Sequence, residues 1–254
     1  MITLNTILYE GNFTDVLNEN SWFFNFESKY ITKKMLTINN LTSIDLFNQL
    51  VYKLKIKHDF DVVFVSDYEK ESLSFFSLSM DNTSVGYYYS IPYFVSILNT
   101  KTQFIFNVSS DCCNPIKLND DYFEKSIEIL NNDNNFLVTT IPWEQDWTIV
   151  GTPDGVPTHV TCVGEWEQIN CVNYNDDKAL SDFWCCGNFS DQVFFGHIEK
   201  LKNVNYNCPK MGFYKGPEYG GVNAFEARLS EYITNSNTFS LIFKNKELYY
   251  KHIV

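Results

Sequence analysis

"QFIFNVSSDCCN", residues Gln103 to Asn114, reads as a buried strand that stops on a single carboxylate. Phe104, Ile105, Phe106 and Val108 are apolar and β-favouring; Ser109 and Ser110 then turn the chain polar ahead of Asp111 and two cysteines. The acid has two readings. Either the strand reaches the surface there, or Asp111 faces a ligand.

Working outward, strand-like and helix-like stretches alternate. "ITLNTILY" (Ile2 to Tyr9) is strand-like. "KYITKKMLTINNLTSIDLFNQLVYKLKI" (Lys29 to Ile56) holds a helix, best defined from Ser43, which can cap it ahead of Ile44, Phe47, Leu50, Val51 and Leu54 at helical spacing. "DVVFVSDY" (Asp61 to Tyr68) is a continuous apolar run bounded by acids, as expected of a parallel strand covered on both faces. "YSIPYFVSILNT" reads as a short helix feeding the Gln103 strand, "NDDYFEKSIEILNND" as an amphipathic helix with a polar start, and "NFLVTTIPW" as the next strand. From about Glu144 to Asp182 the chain becomes irregular. "DFWCCGNFSDQVFFGHIEKLKN" (Asp182 to Asn203) reads as a turn leading into a helix, "NAFEARLSEYITNSN" as an amphipathic helix and "FSLIFKN" as a last strand.

This alternation predicts an α/β fold, a doubly wound, mostly parallel sheet flanked by helices. No linker marks a boundary, so residues 1–254 read as one domain. In such sheets ligands bind beyond the carboxyl ends of the strands. Asp67 and Asp111 both fall at predicted strand ends, and Asp191 precedes an apolar run. Each acid has a plainer reading as the end of an element, and Asp191 as a helix cap.

Composition narrows the function. The chain is 44% hydrophobic and 17% aromatic, which excludes a disordered polymer. A net charge of -12 without a basic stripe argues against a nucleic-acid partner. No run has the length and apolarity of a transmembrane helix, and the N-terminus reads as a strand rather than a leader. Seven cysteines, two adjacent pairs and no CxxC fit mostly free thiols in a reducing, cytoplasmic compartment.

Taken in order, these segments resemble the GT-A class of glycosyltransferases over nearly the whole chain. "ITLNTILYEGNF" is similar to the first nucleotide-binding strand and its loop. "DVVFVSDY" resembles the second strand with its terminal acid, and "YSIPYFVSILNTKTQFIFNVSSDCC" the helix and strand leading to the DxD motif. "DDYFEKSIEILNNDNNFLVTTIPW" resembles the helix and strand that follow. "GNFSDQVFFGHIEKL" is similar to the acceptor-side segment that carries an acidic base, and "AFEARLSEYI" to the acid-bearing C-terminal helix of polysaccharide-forming members.

The resemblance implies a GT-A-like sheet with a nucleotide-sugar half (about 1–113) and an irregular acceptor half (about 114–254). It implies transfer of a sugar from a nucleotide-sugar donor to a glycan or lipid-linked acceptor in polysaccharide biosynthesis, with inversion if Asp191 is the base. Thr6, Leu8, Tyr9, Asp67, Ser110 and Asp111 fall on the nucleotide side. A divalent cation, manganese or magnesium, would be held by Asp111, with His197 in reach of the metal or a phosphate. The chemistry asks for such residues, because a leaving diphosphate needs its charge stabilised and an acceptor hydroxyl needs a base.

Where the family shows two acids, Ser109-Ser110-Asp111-Cys112-Cys113 offers one carboxylate, and thiols suit magnesium or manganese poorly. A non-catalytic carbohydrate-binding or scaffold protein on a degenerate fold is therefore the alternative. A nucleotidyltransferase would need a Gly-rich basic loop after the first strand, which "YEGNF" does not supply. Trp143, Trp147, Trp166 and Trp184 are candidates either for sugar stacking or for the core, and Tyr219-Gly220-Gly221 either for a loop over the site or for a turn.

Overall fold

Alternation of side chains along three neighbouring strands sets up the whole molecule. On β4 (Phe104–Ser109) the residues Phe104, Phe106 and Val108 enter one apolar cluster, whereas Ile105 enters another on the opposite face. On β1 (Ile2–Tyr9) Leu4 and Leu8 join the first cluster and Ile7 the second; on β2 (Ile31–Asn39) Leu36 and Ile38 divide from Met35 in the same way. A sheet buried on both faces follows directly from this two-residue period. In this computed structural model residues 1–9, 22–40, 42–53, 59–83, 87–110, 112–113, 119–141, 148–151, 157–161, 168–170, 182–186, 189–207, 224–245, 248 and 251–252 are described.

The remaining strands are β3 (Asp61–Phe64), β5 (Cys112–Cys113), β6 (Phe136–Thr140), β7 (Thr148–Gly151), β8 (Pro157–Thr161), β9 (Gln168–Asn170), β10 (Phe183–Cys186), β11 (Val193–His197), β12 (Phe239–Phe243) and β13 (Lys251–His252). With β1, β2 and β4, five of these form the eight-stranded main sheet in the order β10-β12-β6-β11-β4-β1-β2-β3. β1, β2, β3 and β4 run parallel, and β6 and β12 share their direction; β11 and β10 are antiparallel to their neighbours. Both halves of the chain contribute to this one sheet. β7, β8 and β9 make a separate small antiparallel sheet within the region that reads as irregular.

Helices cover both faces, as the α/β reading expects. The principal ones are α1 (Ile44–Val51), α2 (Val65–Phe75), α3 (Tyr87–Asn99), α4 (Asp120–Asn132), α5 (Ile198–Lys202) and α6 (Phe225–Asn235). Tyr122, Phe123, Ile129 and Leu130 of α4 pack with the first cluster, where Phe123 meets Phe106 edge to face at 5.2 Å. Ile91, Phe94, Val95 and Ile97 of α3 and Phe225, Leu229 and Ile233 of α6 fill the second cluster. The caps follow the sequence: Ser43 Oγ accepts from Leu46 N, and Asn119 Oδ1 from Tyr122 N.

Three segments differ from their sequence reading. The stretch from Lys29 contains β2 before the capped helix, because Met35 to Ile38 bury both faces between β1 and β3. "DVVFVSDY" is the third parallel strand rather than the second. It lies at the sheet edge and gives way to α2 at Val65. Among the described residues, the stretch from Asp182 to Asn203 holds β10 and β11, and Ile198–Lys202 alone is helical. Gly196 allows the close turn from β11 into α5, since a Cβ there would come within 2.6 Å of Leu201 Cδ1.

Candidate functional site

The chain leaves β1 for β2 and β3 on one side and returns to β4 on the other, so the strand order reverses between β1 and β4. A crevice beyond the carboxyl ends of these two strands is the expected binding place in an open α/β sheet. Tyr9 ends β1, Ser109 ends β4, and Ser110 follows it. The antiparallel β11 brings its amino end to the same rim: Val193 pairs with Val108, and Ser109 N donates to Gln192 O at 2.7 Å. Continued by two residues, that register sets the half-buried Asp191 opposite Ser110.

A buried polar seam reaches this spot. Asn5 Nδ2 donates to Asn107 Oδ1 (2.7 Å) and to Ser96 Oγ (3.2 Å), and Asn5 Oδ1 accepts from Thr37 Oγ1 (3.0 Å). Asn107 Nδ2 donates in turn to the Asp191 carbonyl at 3.4 Å. Asn5, Thr37 and Asn107 are fully buried between the strands and α3. Buried amides persist where their bonds are complete, and these fix the approach of the Asp191 segment to β4. The sequence did carry a signal for part of the seam: Thr37 and Asn107 each interrupt an apolar run, whereas Asn5 lies between Thr3 and Thr6.

The remaining candidates divide. Tyr9 is half-buried and its ring stacks on that of Tyr88, with centroids 5.8 Å apart and an interplanar angle of 16°. Thr6 Oγ1 donates to Val108 O at 2.7 Å and Leu8 lies in the apolar core, so their side chains serve the sheet. Asp67 is exposed in the first turn of α2, beyond the end of β3. It shares a rim with Asp191 but stands four strand positions away, about 19 Å at the usual ~4.8 Å spacing. Asp111, Trp143, Trp147, Trp166 and the Tyr219–Gly221 turn lie outside the described residues. Trp184 is half-buried on β10, at the far edge of the sheet.

His197 is a correction. It closes β11 opposite Phe104, at the amino end of β4, so six extended residues separate it from Asp191 by roughly 20 Å. It lies edge-on to Phe104 (5.1 Å), and its Nε2 is 3.4 Å from Gln103 Nε2. Burial, aided by Lys200, pushes its pKa below the ordinary imidazole value. The unfolded chain therefore takes up a proton near pH 6.5 that the folded chain resists, and acidification through that range lowers stability. His197→Gln is expected to flatten the decline in urea-unfolding stability between pH 7.5 and 5.5, and a slope identical to that of the parent would contradict this placement.

Among the described residues no group of three or more His, Cys, Asp or Glu is placed to hold a metal ion. The described end of β4 offers the hydroxyls of Ser109 and Ser110 and the Cys112 thiol, which sits 3.1 Å from Gln192 Oε1. Hydroxyls and a thiol do not fit a hard divalent cation, so a cation requirement would rest on Asp111. An open cleft of about 760 Å³ lies instead near the amino end of β2, lined by Ser28, Lys29, Lys34 and Asp120 among others. Its charges already face each other, Lys29 and Asp120 at 3.9 Å, in solvent. Among the described residues no helix is long and apolar enough to cross a membrane.

No protein-family model matches the chain, and no curated protein matches it either. Solved structures do. The crystal structure of S. aureus TarS is 15% identical, covering 100% of this chain and 36% of that one, with a TM-score of 0.47. That of S. aureus TarS 1-349 in complex with UDP-GlcNAc is 15% identical, covering 98% of this chain and 57% of that one, with a TM-score of 0.48. Glucosyl-3-phosphoglycerate synthase from Mycobacterium tuberculosis, in complex with Mn2+, UDP and glucosyl-3-phosphoglycerate, is 11% identical over 56% of this chain and 44% of that one, with a TM-score of 0.33. The chain thus spans less than two thirds of the length of each of these three proteins.

Proposed function

We propose that the protein is a GT-A-like glycosyltransferase that moves a sugar from a nucleotide-sugar donor to a glycan or lipid-linked acceptor. The observation that carries this reading is the antiparallel β11, which sets Asp191 against the end of β4 at the point where the strand order reverses. In this reading Asp191 takes the proton from an acceptor hydroxyl that attacks the sugar from the face opposite the leaving diphosphate, which would invert the anomeric centre. Tyr9 offers a ring at the β1 end for the base, and Ser110 a hydroxyl beside Asp191 for the donor's polar groups. Asp111 is the one carboxylate in the sequence from Ser109 to Cys113 suited to a divalent cation, which would stabilise the departing diphosphate when bound.

The test uses UDP, UDP-GlcNAc and UDP-glucose, with and without manganese. A donor at 100 times its Kd is expected to raise the melting temperature by about 5–10 °C. Asp111→Ala should weaken that donor about tenfold, as loss of one charged contact would. No response to any nucleotide sugar would overturn the reading. The single carboxylate in the sequence from Ser109 to Cys113 favours, as a second reading, a carbohydrate-binding protein without catalysis; slow donor hydrolysis with manganese separates the two.

A further inference from the structure

Pro92 lies inside α3 and has no N–H, so the carbonyl four residues earlier, that of Tyr88, loses its helical partner. The replacement comes from the sheet. Asn39, buried at the last position of β2, donates its Nδ2 hydrogen to the Tyr88 carbonyl at 3.3 Å. In the parallel register Asn39 is the partner of Tyr9, and the ring of Tyr9 is the one stacked on Tyr88. Three residues from three elements thus close a loop at the rim: Tyr9 beside Asn39 by strand pairing, Asn39 on Tyr88 by a hydrogen bond, and Tyr88 on Tyr9 by its ring. Tyr88 is 41% exposed and so is Tyr89, which meets it edge to face at 5.8 Å. An exposed aromatic platform at a strand-order switch suits a flat heteroaromatic ligand, because a nucleobase stacks on any such face.

We propose that Asn39 is a positioning residue for the nucleotide subsite, holding Tyr88 against Tyr9 by supplying the hydrogen bond that Pro92 denies to the helix. The inference rests on the nucleotide-sugar reading and adds Tyr88 to the base platform. Asn39 brings the Tyr88 carbonyl a donor at the place where Pro92 brings none, so Asn39 and Pro92 act as a matched pair. Pro92→Ala restores the helical N–H and makes Asn39 dispensable for the ring pair, which gives the double variant a distinctive outcome.

The experiment measures Kd for UDP, dTDP, GDP and ADP by calorimetry, with melting temperatures to confirm folding. Asn39→Leu, which keeps the size but donates nothing, is expected to weaken the preferred diphosphate about tenfold. Pro92→Ala alone should bind within about threefold of the parent, and Asn39→Leu with Pro92→Ala should recover to the same range. Tyr88→Phe should bind as the parent does and Tyr88→Ala about tenfold more weakly. This second pair stands if Asn39→Leu does not fold. Parent-like binding by Asn39→Leu, or a loss that Pro92→Ala leaves unrescued, overturns the positioning role alone, as does parent-like binding by Tyr88→Ala. A parent protein that binds none of the four diphosphates overturns the nucleotide reading and this inference with it.

Discussion

Asp191→Asn is expected to lower sugar transfer by about 10²- to 10⁴-fold, the range of a lost general base. The substitution keeps the size of the side chain. The features that place the segment are the bond from Asn107 to the residue 191 carbonyl and that from Ser109 N to Gln192 O, and both use main-chain acceptors that the variant retains. Donor affinity should therefore stay within about twofold of the parent, and the loss should appear in kcat. Initial rates with the donor found by thermal shift decide the matter. Undiminished turnover would remove Asp191 from the reaction, and a rise in KM with kcat intact would make it a binding residue.

Asn5→Leu should produce the largest loss of stability. Its amide satisfies Asn107, Ser96 and Thr37 at once, all in a region sealed from water. Removing it takes the donor from the buried Asn107 Oδ1 and one partner each from Thr37 and Ser96, which keep their mutual 2.8 Å bond; a stranded buried acceptor costs about 1–3 kcal/mol, and the lost bonds add to it. A total near 3 kcal/mol corresponds to a drop of about 6–12 °C in melting temperature for a chain of this size. Replacing both Asn5 and Asn107 by Leu should cost less than the sum of the single changes, because the two amides then no longer need each other. Urea unfolding of the four proteins gives the cycle, and strict additivity would show that the seam is not one unit.

The class of fold was legible because its signals are local. The apolar runs of β1, β4, β6 and β12, the capped helices α1 and α4, and the amphipathic α6 each declare themselves within about a dozen residues. β2 was obscured by Lys33 and Lys34, which break the apolar pattern at its outer end, and by the strong helix signal that follows it. β11 was misread because Val193 to Phe195 followed by "GHIEKL" has an apolar spacing that fits the start of a helix; only the gap between β4 and β6 makes it a strand. With β11 a strand, Asp191 lies two residues ahead of it rather than capping a helix, and His197 falls at its opposite end. The approach of Asp191 to Asn107 was not legible, since pairing between strands more than 80 residues apart leaves no trace in either segment alone.

The place of β11 also governs the order in which the chain can mature. β4 and β6 flank it without pairing to each other, so the amino-terminal parallel block and β6 stay unjoined until residues 193–197 emerge, and β10 joins β6 only once β12 has followed. Until then β4 and β6 each present an open row of backbone donors and acceptors bordered by phenylalanines, the kind of margin on which nascent chains adhere to one another. Assembly is thus a long-range closure that waits on strands from the last third of the chain.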